Sequence, residues 1–416
     1  MQYKLDIYNY NQSSNYKKIY DDSKNFALNL HKDINNPEYD CLNIVNRIND
    51  YDSLEVLIKK WKSQFTDVFI IGTGGSNLAA SAITALKSNF TDACKPHFID
   101  NLDSESFIDK IKGYDLDKIA FVIISKSGKT VEVISLTIIL LNYLESKIGL
   151  DNLSSRVVCI TSKSGSIIRD MMVEKKISII EHKENISGRF SVFTEVSALP
   201  CMLAGINYSL VLKGACYVLK NFIKNESSIL KSTAFIKNLI DSGYSSNILV
   251  FYNPRLYYFG QWYRQLWTES LCKDGKGMVT APSICPVDQH SQLQMWLDGP
   301  NNQVINFFLI DSINQGDFIY SKNFKGAEVF DGLRTGDIVD ILGKSTVNSL
   351  IASERPIRIF KINLLDENTL GALFMHFCLE TIICSKLLDV NPFDQIAVDT
   401  VKQRVMNEIK ITQEKI

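Results

Sequence analysis

Three hydroxyl side chains, a glycine and two lysines crowd the stretch Ser125-Lys126-Ser127-Gly128-Lys129-Thr130, which follows the apolar run FVII and leads into VEVISLTIIL. Hydroxyls beside the first amides of a helix form a seat for an anion, because the unpaired N–H groups and the helix dipole both favour negative charge. Gly128-Lys129-Thr130 invites a nucleotide-binding P-loop, but that motif needs a glycine five positions earlier, where Ile123 stands inside a strand. What remains is a seat for one phosphate, built on Ser125, Ser127 and Thr130. A second turn, IIGTGGSN at 70–77, has a glycine cluster between a strand and a helix. A dinucleotide fingerprint counted from Gly72 would need glycine at 77 and meets Asn77, although Asp100 after the next strand could imitate the ribose-binding acid. A tight turn without a ligand is the plain alternative.

Other groups suited to acid–base chemistry are scattered. Gln265 and Glu269 stand four residues apart in QWYRQLWTES, on one face of a helix expected to end at CKDGKG. Arg189 lies in NISGRFSVFTEVSALP, His290 in PVDQHSQLQMWLDGP, and Lys402 in NPFDQIAVDTVKQ, two helical turns after Gln395. Taken singly, each has an ordinary explanation: a solvated glutamate, a surface arginine, a capping or core histidine, a solvated lysine.

The elements that must position these groups show in the rhythm of the chain. DVFIIGTGGSN, KPHFID, KIAFVIISKSG and RVVCITSKSG each hold a short β-branched run ending in Gly, Ser or Asp, with helical segments such as LAASAITALKSNF and VEVISLTIILLNYLESK between them. Strands apolar on both sides, alternating with helices, read as a doubly wound parallel α/β sheet. A second series, NILVFYN, QVINFFLIDS and IRIFKINLL, follows a helical stretch at about 198–240 and predicts a second such half. The expected order is a peripheral N-terminal segment of helices and turns over 1–50, α/β domains over 51–215 and 216–390, and a helical segment over 391–416.

Composition narrows the functional classes. The 416 residues are 45% hydrophobic and 22% charged, ordinary for a globular protein, and the net charge of −1 supplies no basic field for nucleic acid. Nine cysteines without a C-x-x-C pair, and five histidines never at ligand spacing, predict neither a disulfide framework nor a structural metal. The N-terminus lacks a signal pattern, and the apolar runs fall short of the ~18 residues that span a bilayer. A cytoplasmic protein with no membrane partner is expected.

Taken as a series, GTGGS, SKSGKTVE, SGRFS, QLWTES, DQHSQLQ and NPFDQIAVDTVK stand in the order of the motifs of the phosphoglucose isomerase family, and the resemblance spans residues 70–402. It implies two sugar-isomerase domains, reversible conversion of glucose 6-phosphate and fructose 6-phosphate without metal or cofactor, and a homodimer with a shared active site. It also implies a phosphate site at Gly75, Ser76, Ser125, Lys126, Ser127 and Thr130. Glu269 would be the catalytic base with Gln265 as companion, Arg189 the active-site cation, His290 the ring-opening group, and Gln395 and Lys402 the late pair. The sequence departs from the family pattern at Val133, at Ser187-Gly188 and at Ile396-Ala397, while Lys129 adds a charge. A non-catalytic sugar-phosphate sensor and additional activity on mannose 6-phosphate are the rival readings. The joint presence of Glu269, His290 and Lys402 argues against the sensor.

Overall fold

The computed structural model describes residues 3–10, 14–46, 51–104, 106–223 and 227–415. Ten strands occur among them: β1 (Tyr3–Tyr8), β2 (Asp67–Ile71), β3 (Lys95–Ile99), β4 (Ile119–Ile124), β5 (Val157–Thr161), β6 (Ser178–Glu181), β7 (Ser246–Phe251), β8 (Val279–Ile284), β9 (Gln303–Ile310) and β10 (Ile357–Ile362). The chain divides into two units, one made of residues 1–31 and 213–389, the other of 32–212 and 390–416.

In the unit of residues 32–212 and 390–416, the sheet order is β3-β2-β4-β5-β6 and every pairing is parallel. β4 is central and buried along its whole length, as its unbroken apolar run requires. Ile119, Phe121 and Ile123 point to one face, where they join Val133, Leu136 and Leu140 of the helix Val131–Ile148. Ala120, Val122 and Ile124 are equally buried on the opposite face. Because every pairing is parallel, the carboxyl ends of all five strands, and the turns after them, lie along one edge of the sheet.

The sheet of the other unit runs β1-β10-β9-β7-β8, with β1 antiparallel to β10 and the rest parallel. β1 corrects the expectation of helices and turns at the N-terminus. In YKLDIY, Lys4 and Asp6 alternate with Tyr3, Leu5 and Ile7, which suits an edge strand with one face toward the core. The helix Glu367–Leu388 corrects another expectation. Its 22 residues, with a mean hydropathy of 1.4 over the most apolar window, are long and apolar enough to cross a bilayer. It is instead the central helix of this unit: 89% of that window is buried, and the helices Ser228–Asp241 and Tyr257–Leu271 pack on it.

Candidate active site

In the all-parallel sheet the chain passes from β2 to β3 on one side and then returns to β4 on the other. The turns after β2 and β4 therefore flank a topological switch point, where ligands of open α/β sheets bind. The turn after β2 is a short 3-10 helix, Gly74–Ser76. Gly75 is a steric necessity, since a Cβ there would lie 2.2 Å from the Gly188 carbonyl group. Ser191 Oγ closes this contact with hydrogen bonds to the carbonyl oxygens of Gly75 at 3.2 Å and Gly188 at 2.7 Å. The glycine turn is thus packed against the turn bearing Arg189. Asn77, which replaces the third glycine of a dinucleotide fingerprint, is buried and donates from Nδ2 to Gly72 O at 2.5 Å. Its side chain closes the turn.

The turn after β4 leads directly into the 18-residue helix Val131–Ile148, whose N-cap position is Thr130. The Thr130 hydroxyl makes no capping bond; it stands 3.3 Å from Ser125 Oγ, so the first amides of the helix keep no side-chain acceptor from that residue. Ser125 is buried, whereas Ser127 is exposed and accepts from the Lys129 amide at 3.2 Å. Lys126 is partly buried; desolvation lowers its ammonium pKa, Arg189 pushes it the same way, and Glu184 acts in the opposite direction. The departure at Val133 has a structural reason, because that side chain is 1% exposed and belongs to the core under β4.

Arg189 sits in the 3-10 helix Gly188–Phe193 and is fully buried. Its Nη2 donates to the carbonyl oxygen of Pro392 and, at 3.0 Å, to that of Asp394. Those carbonyls lie three residues and one residue before Gln395, the N-cap position of the helix Ile396–Gln413, which carries Lys402. The fold thus brings Arg189 to the start of the segment bearing Gln395. Lys402 is exposed and pairs with Asp399 at 3.1 Å. The backbone anchors of Arg189 had no signature in the sequence, because a carbonyl oxygen belongs to any residue type.

In the other unit, the helix Tyr257–Leu271 is oriented by its aromatic face. Trp262 packs on Phe374, and Tyr263 on Phe377, with ring centroids 4.5 Å apart in both pairs. The opposite face leaves Gln265 and Glu269 partly exposed, and Gln265 Nε2 donates to Glu269 Oε1 at 3.0 Å. Their four-residue spacing thus becomes a direct contact that orients the carboxylate. His290 is exposed in the first turn of the helix Gln289–Asp298. The turn before it is held by Asp288, whose carboxylate accepts from the Ile284 amide at 2.7 Å.

One all-parallel and one mixed α/β sheet, the first with a glycine turn and a hydroxyl turn at its switch point, form the framework of a two-sheet α/β protein with an anion seat. Residues 58–415 match the family described as phosphoglucose isomerase, and the chain belongs to that family. It is 31% identical over 363 residues to glucose-6-phosphate isomerase of Methanocaldococcus jannaschii, covering 85% of this chain and 87% of that one. It is 30% identical over 378 residues to probable glucose-6-phosphate isomerase of Methanococcus maripaludis, covering 88% and 82%. The crystal structure of a glucose-6-phosphate isomerase from Chlamydia trachomatis shares the fold, with a TM-score of 0.74 at 20% identity over 87% of this chain and 73% of that one.

Proposed function

We propose that this protein interconverts glucose 6-phosphate and fructose 6-phosphate through ring opening and an enediolate. The observation that carries the reading is the pair of turns at the switch point, in which the hydroxyls of Ser125 and Thr130 meet at the start of a long helix beside the glycine turn of Gly75 and Ser76. A phosphate dianion fits such a seat, and Ser127 and Lys126 add a hydroxyl and a charge.

The reaction moves a proton between two neighbouring carbons. Glu269, oriented by Gln265, takes the proton from C2 and returns it to C1. His290 and Lys402 move protons between the ring oxygen and the hydroxyl during opening and closure. Arg189 supplies a permanent positive charge for the oxygens of the enediolate, and Gln395 binds substrate next to it. Each site is completed by a homodimer in which the partner's His290 serves Glu269. We place the protein in the cytoplasm, where its nine free cysteines stay reduced.

The test is a coupled assay of fructose 6-phosphate conversion by the purified chain, with no metal or cofactor added to the isomerase step. Glucose 6-phosphate should form steadily. Folded protein that produces none would overturn the reading.

A further inference from the structure

The tetrapeptide Ser-Lys-Ser-Gly occurs twice, at 125–128 and at 162–165, each time directly after a strand. The proposed function uses only the first. The two turns lie side by side, with the Ser162 amide donating to Lys126 O at 3.1 Å and the Ile168 amide to Gly128 O at 3.3 Å. Gly128 has a φ of +59°, and a Cβ there would fall 2.0 Å from Ser166 Oγ, so the contact between the turns depends on that glycine.

The second turn already holds an anion. Glu184 Oε1 accepts from the Ser164 hydroxyl at 2.5 Å and from its amide at 3.1 Å. These two bonds, helped by the charges of Lys126 and Lys163, hold the carboxyl below the usual glutamate range. Amide and hydroxyl donors converging on one oxygen are how a turn recognises a carboxylate or phosphate. Here the protein's own side chain takes that place.

Glu184 belongs to the short segment between β6 and the turn of Arg189, and the segment is pinned along its length. The His182 amide donates to Thr161 O at 2.8 Å. Asn185 Nδ2 donates to Pro37 O at 2.9 Å and to Asp40 Oδ2 at 2.7 Å, and Ile186 is fully buried. Of these anchors, Glu184 ties the arginine's segment to the turn adjoining the phosphate seat. Lys126 senses both ends, being drawn electrostatically toward its charged form by Glu184 and away from it by Arg189.

We propose that Glu184 is a positioning residue: an internal anion seated on Ser164 in the second Ser-Lys-Ser-Gly turn, which fixes the segment of Arg189 against the phosphate-binding side of the sheet. It acts through Arg189 and touches no substrate, so the inference rests on the role assigned above to that arginine.

The full-length chain is assayed as Glu184→Ala, Glu184→Gln and Arg189→Lys, with thermal unfolding confirming that each variant is folded. A glutamine carbonyl still accepts from Ser164, so Glu184→Gln should keep kcat within about threefold, while Glu184→Ala should lose about 10- to 100-fold in kcat with little change in KM, the cost of a misplaced catalytic group. Added sodium formate, a free carboxylate, should raise kcat of Glu184→Ala relative to wild type in the same buffer, and should fail to do so once Ser164→Ala is added. If Glu184→Ala keeps wild-type kcat while Arg189→Lys loses activity, Glu184 positions nothing. The inference also falls if Glu184→Ala is slow but neither glutamine nor formate restores turnover, since the loss is then general damage. Silence at both positions would remove the arginine reading, and this inference with it.

Discussion

Arg358 Nη1 lies 2.8 Å from Glu380 Oε2, and neither side chain has any exposed surface. The pair is the centre of a buried polar network. Arg358 Nε donates to Asn306 Oδ1 at 2.6 Å, the Ser232 hydroxyl donates to Glu380, and His376 Nε2 stands 3.4 Å from the same carboxylate. The Tyr3 hydroxyl of β1 meets His376 Nδ1 at 2.6 Å, so the network reaches from the central helix to the edge strand. Burial pushes the Glu380 carboxyl up, but Arg358, His376 and Ser232 together outweigh it and hold the pKa at about 2.

Removing one member of this pair leaves the other charged and dry. Glu380→Leu or Arg358→Met alone should therefore cost about 3–5 kcal/mol of stability in urea unfolding, whereas the two replacements together should cost less than either one. Additive losses in the double-mutant cycle would show that the two groups are not coupled.

His182 gives the other unit a pH-dependent stability. The side chain is 3% exposed, and burial lowers its pKa to about 4 despite the bond of Nδ1 to Lys183 O. The unfolded chain takes up this proton near pH 6.5, before the folded one does. Stability should then fall as pH drops from about 6.5 to about 4, with a slope approaching 1.4 kcal/mol per pH unit for this one proton. Urea unfolding at pH 7 and pH 5 should show a smaller pH effect in His182→Gln than in wild type, and an imidazole NMR titration should keep His182 neutral at pH 5. Equal pH effects in the two proteins would remove His182 from the account.

Glu269→Gln keeps the shape of the side chain and removes its basicity. We expect kcat to fall at least ~10²-fold with sugar-phosphate affinity preserved, measured by steady-state kinetics and by calorimetric titration. Near-normal turnover would mean that a different group carries the proton.

The phosphate seat makes a separate claim. Replacing Ser125 and Thr130 together by alanine should chiefly raise KM for fructose 6-phosphate, because hydrogen bonds to the anion are lost in the ground state and transition state alike. An unchanged KM would place the phosphate elsewhere.

A shared site predicts complementation. Refolding Glu269→Gln together with His290→Ala gives about half mixed dimers by random pairing, each with one intact site, and so about a quarter of wild-type activity. Sites built from a single chain would recover nothing, even with mixed dimers confirmed by mass.

How much of this was legible in the sequence depended on burial. β2 and β4 are nearly unbroken apolar runs, and β7, β9 and β10 are largely apolar, interrupted by Asn247, Asn306, Arg358 and Lys361; each is buried over most of its length and could be read directly. The three strands not foreseen, β1, β6 and β8, all lie at sheet edges. There one side lacks a neighbour, so the patterns are mixed or short: SIIE is four residues, and VTAPSI tolerates Pro282. The helix pairing Gln265 with Glu269 was legible because a spacing of four is a contact in a helix. The bond between Ser164 and Glu184 was not, since two polar side chains twenty residues apart become neighbours only after β5 and β6 have paired.

β1 also sets a timetable. Tyr3 pairs with Ile362 and Tyr8 with Ile357, so the strand is synthesised roughly 350 to 360 residues ahead of the partner on which it must lie. At ~5–20 residues per second, its hydrogen-bonding groups wait on the order of tens of seconds on the ribosome before β10 emerges, while the strands of the other sheet, β2 to β6, are all made within that interval. The polar residues of YKLDIY, Lys4 and Asp6, keep that waiting segment soluble, and the alternation that makes it an edge strand in the finished protein guards it as a nascent one.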